Sequence, residues 1–272
     1  MSNSINTNAQ ALVALQSLNV VNSNLGTTQN RVSTGLKVAS AIDDASSFAI
    51  AQGIRGQLKA YSAVSQGIAN ARGVATVTLA GANSISDLLG DIQAKITQGE
   101  NAGNSTSQQS ILNADFQNLV AQVNTFISNA TYNGRNLLSA ASSSINVIAN
   151  IDGSTLVLRS NSSFNLQSVL LGNQNISSTY QAAQALSQLF LAQAAIASVL
   201  GNLGADTKAV NFQDTFISQL SDATNVGLGA IVDADMARES ARLQALQVQQ
   251  QLAIQTLGIA NTAPQHLLNL FR

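Results

Sequence analysis

Residues 54–96 read IRGQLKAYSAVSQGIANARGVATVTLAGANSISDLLGDIQAKI. Apolar or small side chains recur in this stretch at a constant spacing of seven residues, and the row consists of Ile54, Tyr61, Ile68, Ala75, Ala82, Leu89 and Ile96. Such a repeat places one apolar stripe along an α-helix that packs against other helices over its whole length. The stretch therefore predicts a helix over residues 44–98, roughly 80 Å long at about 1.5 Å per residue, and with it a rod-like, mainly α-helical protein.

The same repeat continues in both directions from this stretch. It consists of Ala11, Leu18, Leu25 and Val32 near the start of the chain, Leu189, Ile196, Leu203, Val210 and Ile217 in the second half, and Leu246, Ala253, Ala260 and Leu267 at the end. A shorter helix after the polar loop at 99–108 has apolar residues at alternating spacings of four and three. An antiparallel out-and-back bundle of these helices would pair the N- and C-terminal helices at one end.

Between residues 139 and 178 the period changes from helical to strand-like. Ile145, Val147, Ala149 and Ile151 are spaced two residues apart, and Leu156 and Leu158 have the same spacing after an Asp152-Gly153 turn signal. This pattern predicts a small β-hairpin region at the tip of the rod.

A break is expected between the first two helices. Gly35 can adopt the left-handed conformation that ends many helices. Asp43 and Asp44 follow where a helix N-terminus favours acceptors and negative charge. Arg31 and Lys37 are near enough in sequence to pair with these carboxylates across the bend.

A second break, expected at about residues 225–233, precedes the last helix. Asp233 and Asp235 lie at its predicted start. Paired carboxylates also occur in acid/base active sites, but at a helix start their capping role is much the commoner one. Capping is therefore the preferred interpretation.

Composition limits the classes of function. Charged residues make up 9% of the chain, against about a quarter in ordinary domains, and the net charge is −1. A nucleic-acid or anionic-lipid partner is therefore not expected. The chain has no cysteine, which excludes disulfides and suits a protein that crosses compartments unfolded.

Catalytic and membrane functions are also disfavoured. No phosphate-binding loop, zinc-protease motif or Ser-His-Asp set is present, and a single histidine, His266, leaves little scope for metal binding. We expect no enzyme activity, cofactor or metal. The N-terminus lacks the pattern of a cleavable secretory signal, and polar residues interrupt the most apolar window, 182–200, so no membrane span is expected.

At both ends the residues resemble those of bacterial flagellin. The resemblance rests on SINTN at 4–8, STGLK at 33–37, DDA at 43–45, YNG at 132–134, DADMARES at 233–240, and PQ at 264–265 followed by LLNLFR at 267–272. It implies a short flagellin without large outer domains. The implied layout is an inner-layer helix at 1–42, an outer helical rod at 43–232 that contains the hairpin region at 139–178, and an inner-layer helix at 233–272.

This resemblance implies a function and a set of partners. The chain would be a secreted, extracellular filament subunit that polymerises with itself and serves swimming motility. Its partners would be the flagellar export apparatus, a cytoplasmic export chaperone and the filament cap. Two alternatives are a surface-displayed binding or adhesion protein and a hook-filament junction protein.

Polymerisation is expected to use apolar residues of the two terminal helices, which should be largely disordered in the monomer and fold against neighbours. The expected interface residues are Ile5, Leu12, Leu15, Leu18, Leu25, Val32, Leu243, Leu246, Leu257, Leu267, Leu268, Leu270 and Phe271. Gly35, Asp43, Asp44, Asp233 and Asp235 are expected to form the bend and the helix caps.

Overall fold

The computed structural model describes residues 7–139, 141–161 and 171–270, with side chains described as far as residue 262. Its elements, in chain order, are α1 (Ala9–Thr34), α2 (Ala45–Gly99), α3 (Thr106–Asn129), β1 (Ile145–Ile148), β2 (Thr155–Leu158), α4 (Thr179–Val232) and α5 (Met236–Leu270). The predicted class, mainly α with one small hairpin and paired terminal helices, is confirmed.

The predicted limits of the helices are close to those observed, with one correction. The break expected at about 225–233 is shorter, because α4 continues as a helix to Val232 and only residues 233–235 separate it from α5. Gly227 and Gly229 lower the helix propensity of this segment, but they do not end the helix. Helix α5 likewise continues past Pro264.

The chain folds as two compact units, Met1–Gly56 with Ala223–Arg272 and Gln57–Asp222. The division falls inside α2 and α4, whereas the predicted boundaries at 42/43 and 232/233 coincide with the breaks between helices. The assignment of inner-layer and outer-layer segments therefore stays a prediction.

The unit at 57–222 is built around the two long heptad rows. In α2 the row is buried from Tyr61 to Ile96, and in α4 from Leu189 to Ile217, each residue at most 7% exposed. Phe116, Val120 and Val123 of α3 belong to the same apolar cluster. The side chains of these rows therefore pack against other residues of the same chain, as in the interior of a helical bundle.

The hairpin covers part of this core with one face. Strands β1 and β2 pair antiparallel, with Ile145 opposite Leu158 and Val147 opposite Leu156. Val147 and Leu158 are buried, whereas Ile148 and Val157 on the other face are exposed. This alternation is the one that the sequence pattern predicts.

Two polar contacts attach the hairpin to α4. Gln213 Nε2 donates to the backbone oxygen of Ala149 at 2.7 Å. Arg159 donates from Nη2 and Nε to Asp206 Oδ1 at 2.7 and 3.1 Å, and its backbone N–H donates to Asp206 Oδ2 at 2.9 Å. The Asp206 carboxylate, in a residue only 6% exposed, raises the pKa of Arg159 through these hydrogen bonds and through its charge.

A tight turn at Tyr132–Arg135 follows α3. Asn133 and Gly134 have φ values of +48° and +74°, and the backbones of Tyr132 and Arg135 exchange two hydrogen bonds of 2.9 Å. Both central residues have positive φ, as in a type I′ turn. The Asn-Gly pair fixes this turn because Asn and Gly adopt that conformation most readily.

Helix α4 is long and apolar enough to cross a membrane by length and composition alone. The same helix supplies Leu189, Ile196 and Leu203 to the interior of the 57–222 unit, where all three are buried. Packing within the chain therefore accounts for this row of apolar residues in α4.

Candidate assembly surface

The bend between α1 and α2 begins at Gly35. Its φ of +73° is left-handed, and its N–H donates to the Arg31 carbonyl at 2.9 Å, which closes the last turn of α1. Glycine adopts this conformation without the steric cost that a side chain adds. The structure thus gives Gly35 the stop role that the sequence suggests.

Backbone hydrogen bonds join this bend to the break between α4 and α5. Lys37 N–H donates to the Val232 carbonyl at 2.7 Å, and Ala234 N–H donates to the Gly35 carbonyl at 2.9 Å. Leu36 and Asp233 form an isolated antiparallel bridge. The two breaks, about 200 residues apart in sequence, therefore form one joint, defined here as residues 35–44 and 232–235.

The two aspartates at the end of the bend have different roles. Asp44 caps α2, because its Oδ1 accepts from the backbone N–H groups of Ser46 and Ser47 at 3.0 and 3.2 Å. Asp43 instead stabilises the preceding turn, where its Oδ2 accepts from Ala39 N–H and Ser40 N–H.

These hydrogen bonds favour the charged form of both carboxyl groups. The backbone N–H and hydroxyl of Ser40 lower the pKa of Asp43. The hydroxyl and backbone N–H of Ser47 lower the pKa of Asp44. Nearby Arg31 and Lys37 add a smaller effect in the same direction.

The ion pair expected between Arg31 and the bend aspartates is not the one that forms. Arg31 Nη1 lies 3.4 Å from Glu239 Oε1, so its partner is in the first turn of α5. A carboxylate is favoured at a helix N-terminus, and Glu239 is only 9% exposed. This pair connects α1 with α5 beside the joint.

Asp235 is the cap of α5, since its Oδ1 accepts from Arg238 N–H at 3.1 Å. Asp233 lies one turn beyond Gly229, and a Cβ added at Gly229 would come within 2.6 Å of Asp233 Oδ2. Among the side chains of residues 7–139, 141–161 and 171–262, no group of three or more acidic or histidine residues could hold a metal ion.

Helices α1 and α5 pack along one stripe of each helix. Leu25 and Leu246 are buried, whereas Leu18, Val32, Leu243 and Leu257 are half-buried. The pair is also joined by Asn8 Nδ2 donating to the Ala260 carbonyl at 2.7 Å, and by Gln250 Nε2 donating to Asn22 Oδ1 at 2.8 Å. The predicted seam residues thus contact a partner helix of their own chain.

The other predicted interface residues of α1 remain largely uncovered. Leu12 and Leu15 are 63% and 43% exposed. With Ala11 and Leu257 they line a recess of about 410 Å³ beside the start of α1. Ile5 and Phe271 lie outside the described residues, and for Leu267, Leu268 and Leu270 only the helical backbone is described.

A second set of exposed apolar residues lies on the opposite faces of the two helices. Its members are Val13 and Val20 in α1 and Val248, Leu252 and Ile259 in α5, each at least 55% exposed. We refer to these five residues as the outer stripes. The sequence carried a signal for them, since Val13 and Val20, and Leu252 and Ile259, are each seven residues apart. Because these residues are exposed, the outer stripes lack partners within the described chain. A helix that is apolar on opposite faces is normally covered on both.

Comparison with known proteins identifies the family. Residues 5–143 match the bacterial flagellin N-terminal helical region, and residues 186–271 match the C-terminal helical region. Flagellin FljO of Caulobacter vibrioides is 36% identical over 273 residues, which cover 99% of each chain. A flagellin of Brucella melitensis is 36% identical over 281 residues, with the same coverage. The crystal structure of Bacillus cereus flagellin aligns with 65% of this chain and 94% of its own at 16% identity and a TM-score of 0.42.

The chain therefore belongs to the bacterial flagellins, the proteins that assemble into the flagellar filament. The sequence matches carry this assignment, because they cover both helical regions and nearly the full length of the curated relatives. Flagellins are structural subunits and not enzymes. The homologues place the assembled protein in an extracellular filament.

Proposed function

We propose that this filament subunit polymerises through the outer stripes and the exposed start of α1, while the α1–α5 seam forms within each chain. The observation that carries the proposal is that both terminal helices are apolar on opposite faces and bury only one of them. Uncovered apolar surface on a helix pair is the form that a subunit interface takes before assembly.

The packing of α1 against α5 alone adds little stability to the helix pair. Of its predicted interface residues with described side chains, only Leu25 and Leu246 are buried, and helices in proteins gain most of their stability from packing of an apolar face. Neighbouring subunits would supply that surface, so ordering of the pair and assembly would be coupled. Such coupling restrains growth before subunits reach the filament end.

Ile259→Ser tests the interface. Ile259 is 72% exposed, so its replacement leaves the single chain unaffected but removes about 1.5–3 kcal/mol of burial in the filament. We expect the critical concentration for seeded growth to rise about tenfold or more, since about 1.4 kcal/mol corresponds to a factor of ten.

Gln251→Ser is the matched control, because Gln251 is also exposed on α5 and the change introduces the same residue. Its critical concentration should equal that of the unsubstituted chain. If Ile259→Ser grows at the critical concentration of the unsubstituted chain, the proposed interface is contradicted.

Secretion through the flagellar export channel, escort by a cytoplasmic chaperone and assembly under a filament cap belong to the same proposal. The family supports these steps, and the absence of cysteine removes disulfides that would hinder passage of an unfolded chain. Swimming motility would follow from the assembled filament. Cells that lack the export apparatus should retain the chain in the cytoplasm, and its normal appearance in their culture medium would contradict the export route.

A further inference from the structure

Two exposed phenylalanines lie together on α4 within the 57–222 unit. Phe212 and Phe216 are 74% and 50% exposed, and their spacing of four residues puts them on one face, about 6 Å apart along the helix. Val210 and Ile217 on the other face are buried in the core. The two rings therefore form an aromatic knob directed away from the interior of the unit.

The same unit has an apolar groove between α2 and β1. Its volume is about 340 Å³, and its lining includes Ala63, Gly67 and Asn70 of α2, Tyr132, and Val147 and Ile148 of β1. Among the described residues that line it, Arg135 is the charged one. The small residues Ala63 and Gly67, four apart on α2, leave room along the groove for side chains from another helix.

The knob and the groove match in size and chemistry. A cavity of about 150 Å³ holds one benzene ring, so a groove of about 340 Å³ has room for both phenylalanine rings. Helices that dock in grooves present anchors at positions i and i+4, which is the spacing of Phe212 and Phe216. Neither phenylalanine lines the groove of its own chain, and both are exposed on the surface of the single chain.

We propose that Phe212 and Phe216 of one subunit insert into the α2–β1 groove of a second copy of this chain. The proposal rests on the proposed function, since it adds a contact outside the terminal helices to the same filament. Knob and groove are different surfaces, so the contact is heterologous and each joined subunit keeps one free knob or groove. Contacts of this kind extend into open helical polymers.

The contact area indicates that the second copy binds in the filament and not as a free dimer. Two phenylalanines bury roughly 300–500 Å², which is less than the roughly 800 Å² per partner of a stable interface. The knob therefore binds measurably only when the terminal helices hold subunits together, as in multivalent assembly. This dependence keeps the free subunit monomeric.

Substitutions on each side test the contact. Gly67→Leu fills the groove, and a Cβ at Gly67 meets no atom within 4 Å, so the fold is retained. Phe212→Ser removes the larger exposed part of the knob. Each should raise the critical concentration for seeded filament growth about tenfold, whereas Phe190→Ser, at a 52% exposed position of the same helix, should leave it unchanged.

Cross-linking identifies the partner directly, because the natural chain has no cysteine. Filaments are grown from an equal mixture of Gly67→Cys and Phe212→Cys subunits and then oxidised. We expect a mixed disulfide dimer, no dimer from either variant alone, and a ladder of oligomers from the double variant. Replacing Phe212→Cys with Phe190→Cys should abolish the mixed dimer.

The outcomes separate this inference from the proposed function. Normal filaments without the mixed disulfide, or unchanged growth of both Gly67→Leu and Phe212→Ser, would overturn the knob-and-groove contact and leave the terminal-helix interface standing. If the unsubstituted chain forms no filament on seeds, the proposed function is refuted and this contact with it.

Discussion

Asp44 connects the sequence at the bend to the start of α2. Its carboxylate accepts two backbone N–H groups of the first helical turn and the Ser47 hydroxyl. Asp44→Ala removes all three acceptor contacts, so the first turn of α2 should exchange its amide hydrogens faster, as measured by hydrogen exchange and mass spectrometry. Asp44→Asn keeps one acceptor oxygen and should retain most of the protection. Equal protection in the unsubstituted and alanine chains would contradict the capping role.

The same carboxyl group makes this turn sensitive to pH. Its hydrogen bonds hold the pKa of Asp44 below the ordinary value of 3.8. The stabilisation is therefore present above that value and is lost as pH falls through the lower, folded-state pKa. We expect protection of residues 45–48 to fall in that acidic range in the unsubstituted chain and to depend less on pH in Asp44→Asn.

At Gly81 the close approach of Ala130 leaves no room for a side chain, which the sequence alone does not reveal. A Cβ at Gly81 would lie 2.8 Å from the Cβ of Ala130, which is buried at the end of α3. Gly81→Ala should lower the free energy of unfolding by about 1–3 kcal/mol through this overlap. Gly90→Ala, where a Cβ meets nothing within 4 Å, should raise it by up to about 1 kcal/mol. Urea unfolding measures both, and equal stabilisation by both substitutions would contradict the close approach.

At the level of elements, the hairpin depends on the contact between Arg159 and Asp206. Asp206→Asn removes the charge that the guanidinium binds, so β2 should open locally and lose amide protection while most of the helical core persists. Asp214→Asn, which breaks the more exposed pair with Arg72, is the control and should leave the hairpin unchanged. Hydrogen exchange of residues 155–158 distinguishes the two. Full protection of β2 in Asp206→Asn would contradict this role.

The sequence predicted the elements well because their signals are local and periodic. The row from Ile54 to Ile96 defines α2, and the alternation around Val147 and Leu158 defines the hairpin. Gly35, Asp44 and Asp235 end or cap helices as their residue types suggest. These features depend on spacings within one segment, which the sequence displays directly.

Which apolar stripe meets which partner was less predictable. Leu25 and Leu246 are predicted at a subunit interface, and the structure buries them in the α1–α5 pair of a single chain; their role in the filament stays a prediction. The outer stripes are not among the interface residues that the sequence predicts, because the main heptad row is the stronger pattern on each helix. Arg31 pairs with Glu239, more than 200 residues away, a distance over which spacing gives no information.

At the scale of the whole molecule, incomplete burial of the terminal helices connects structure with function. The unit at 57–222 has an extensive buried core of its own, whereas α1 and α5 leave apolar residues exposed on more than one face. A subunit with one well-packed unit and one helix pair that exposes apolar surface is suited to polymerise by burying that surface against its neighbours. We expect the helix content measured by circular dichroism to rise when monomers assemble.

Seeded assembly of two truncated chains, followed by electron microscopy, tests this account most directly. One chain lacks residues 1–33 and the other lacks residues 243–272, and both keep the unit at 57–222. We expect both to remain helical and monomeric and to add nothing to the seeds, while the full chain extends them. Filament growth from both truncated chains would contradict assembly through the terminal helices.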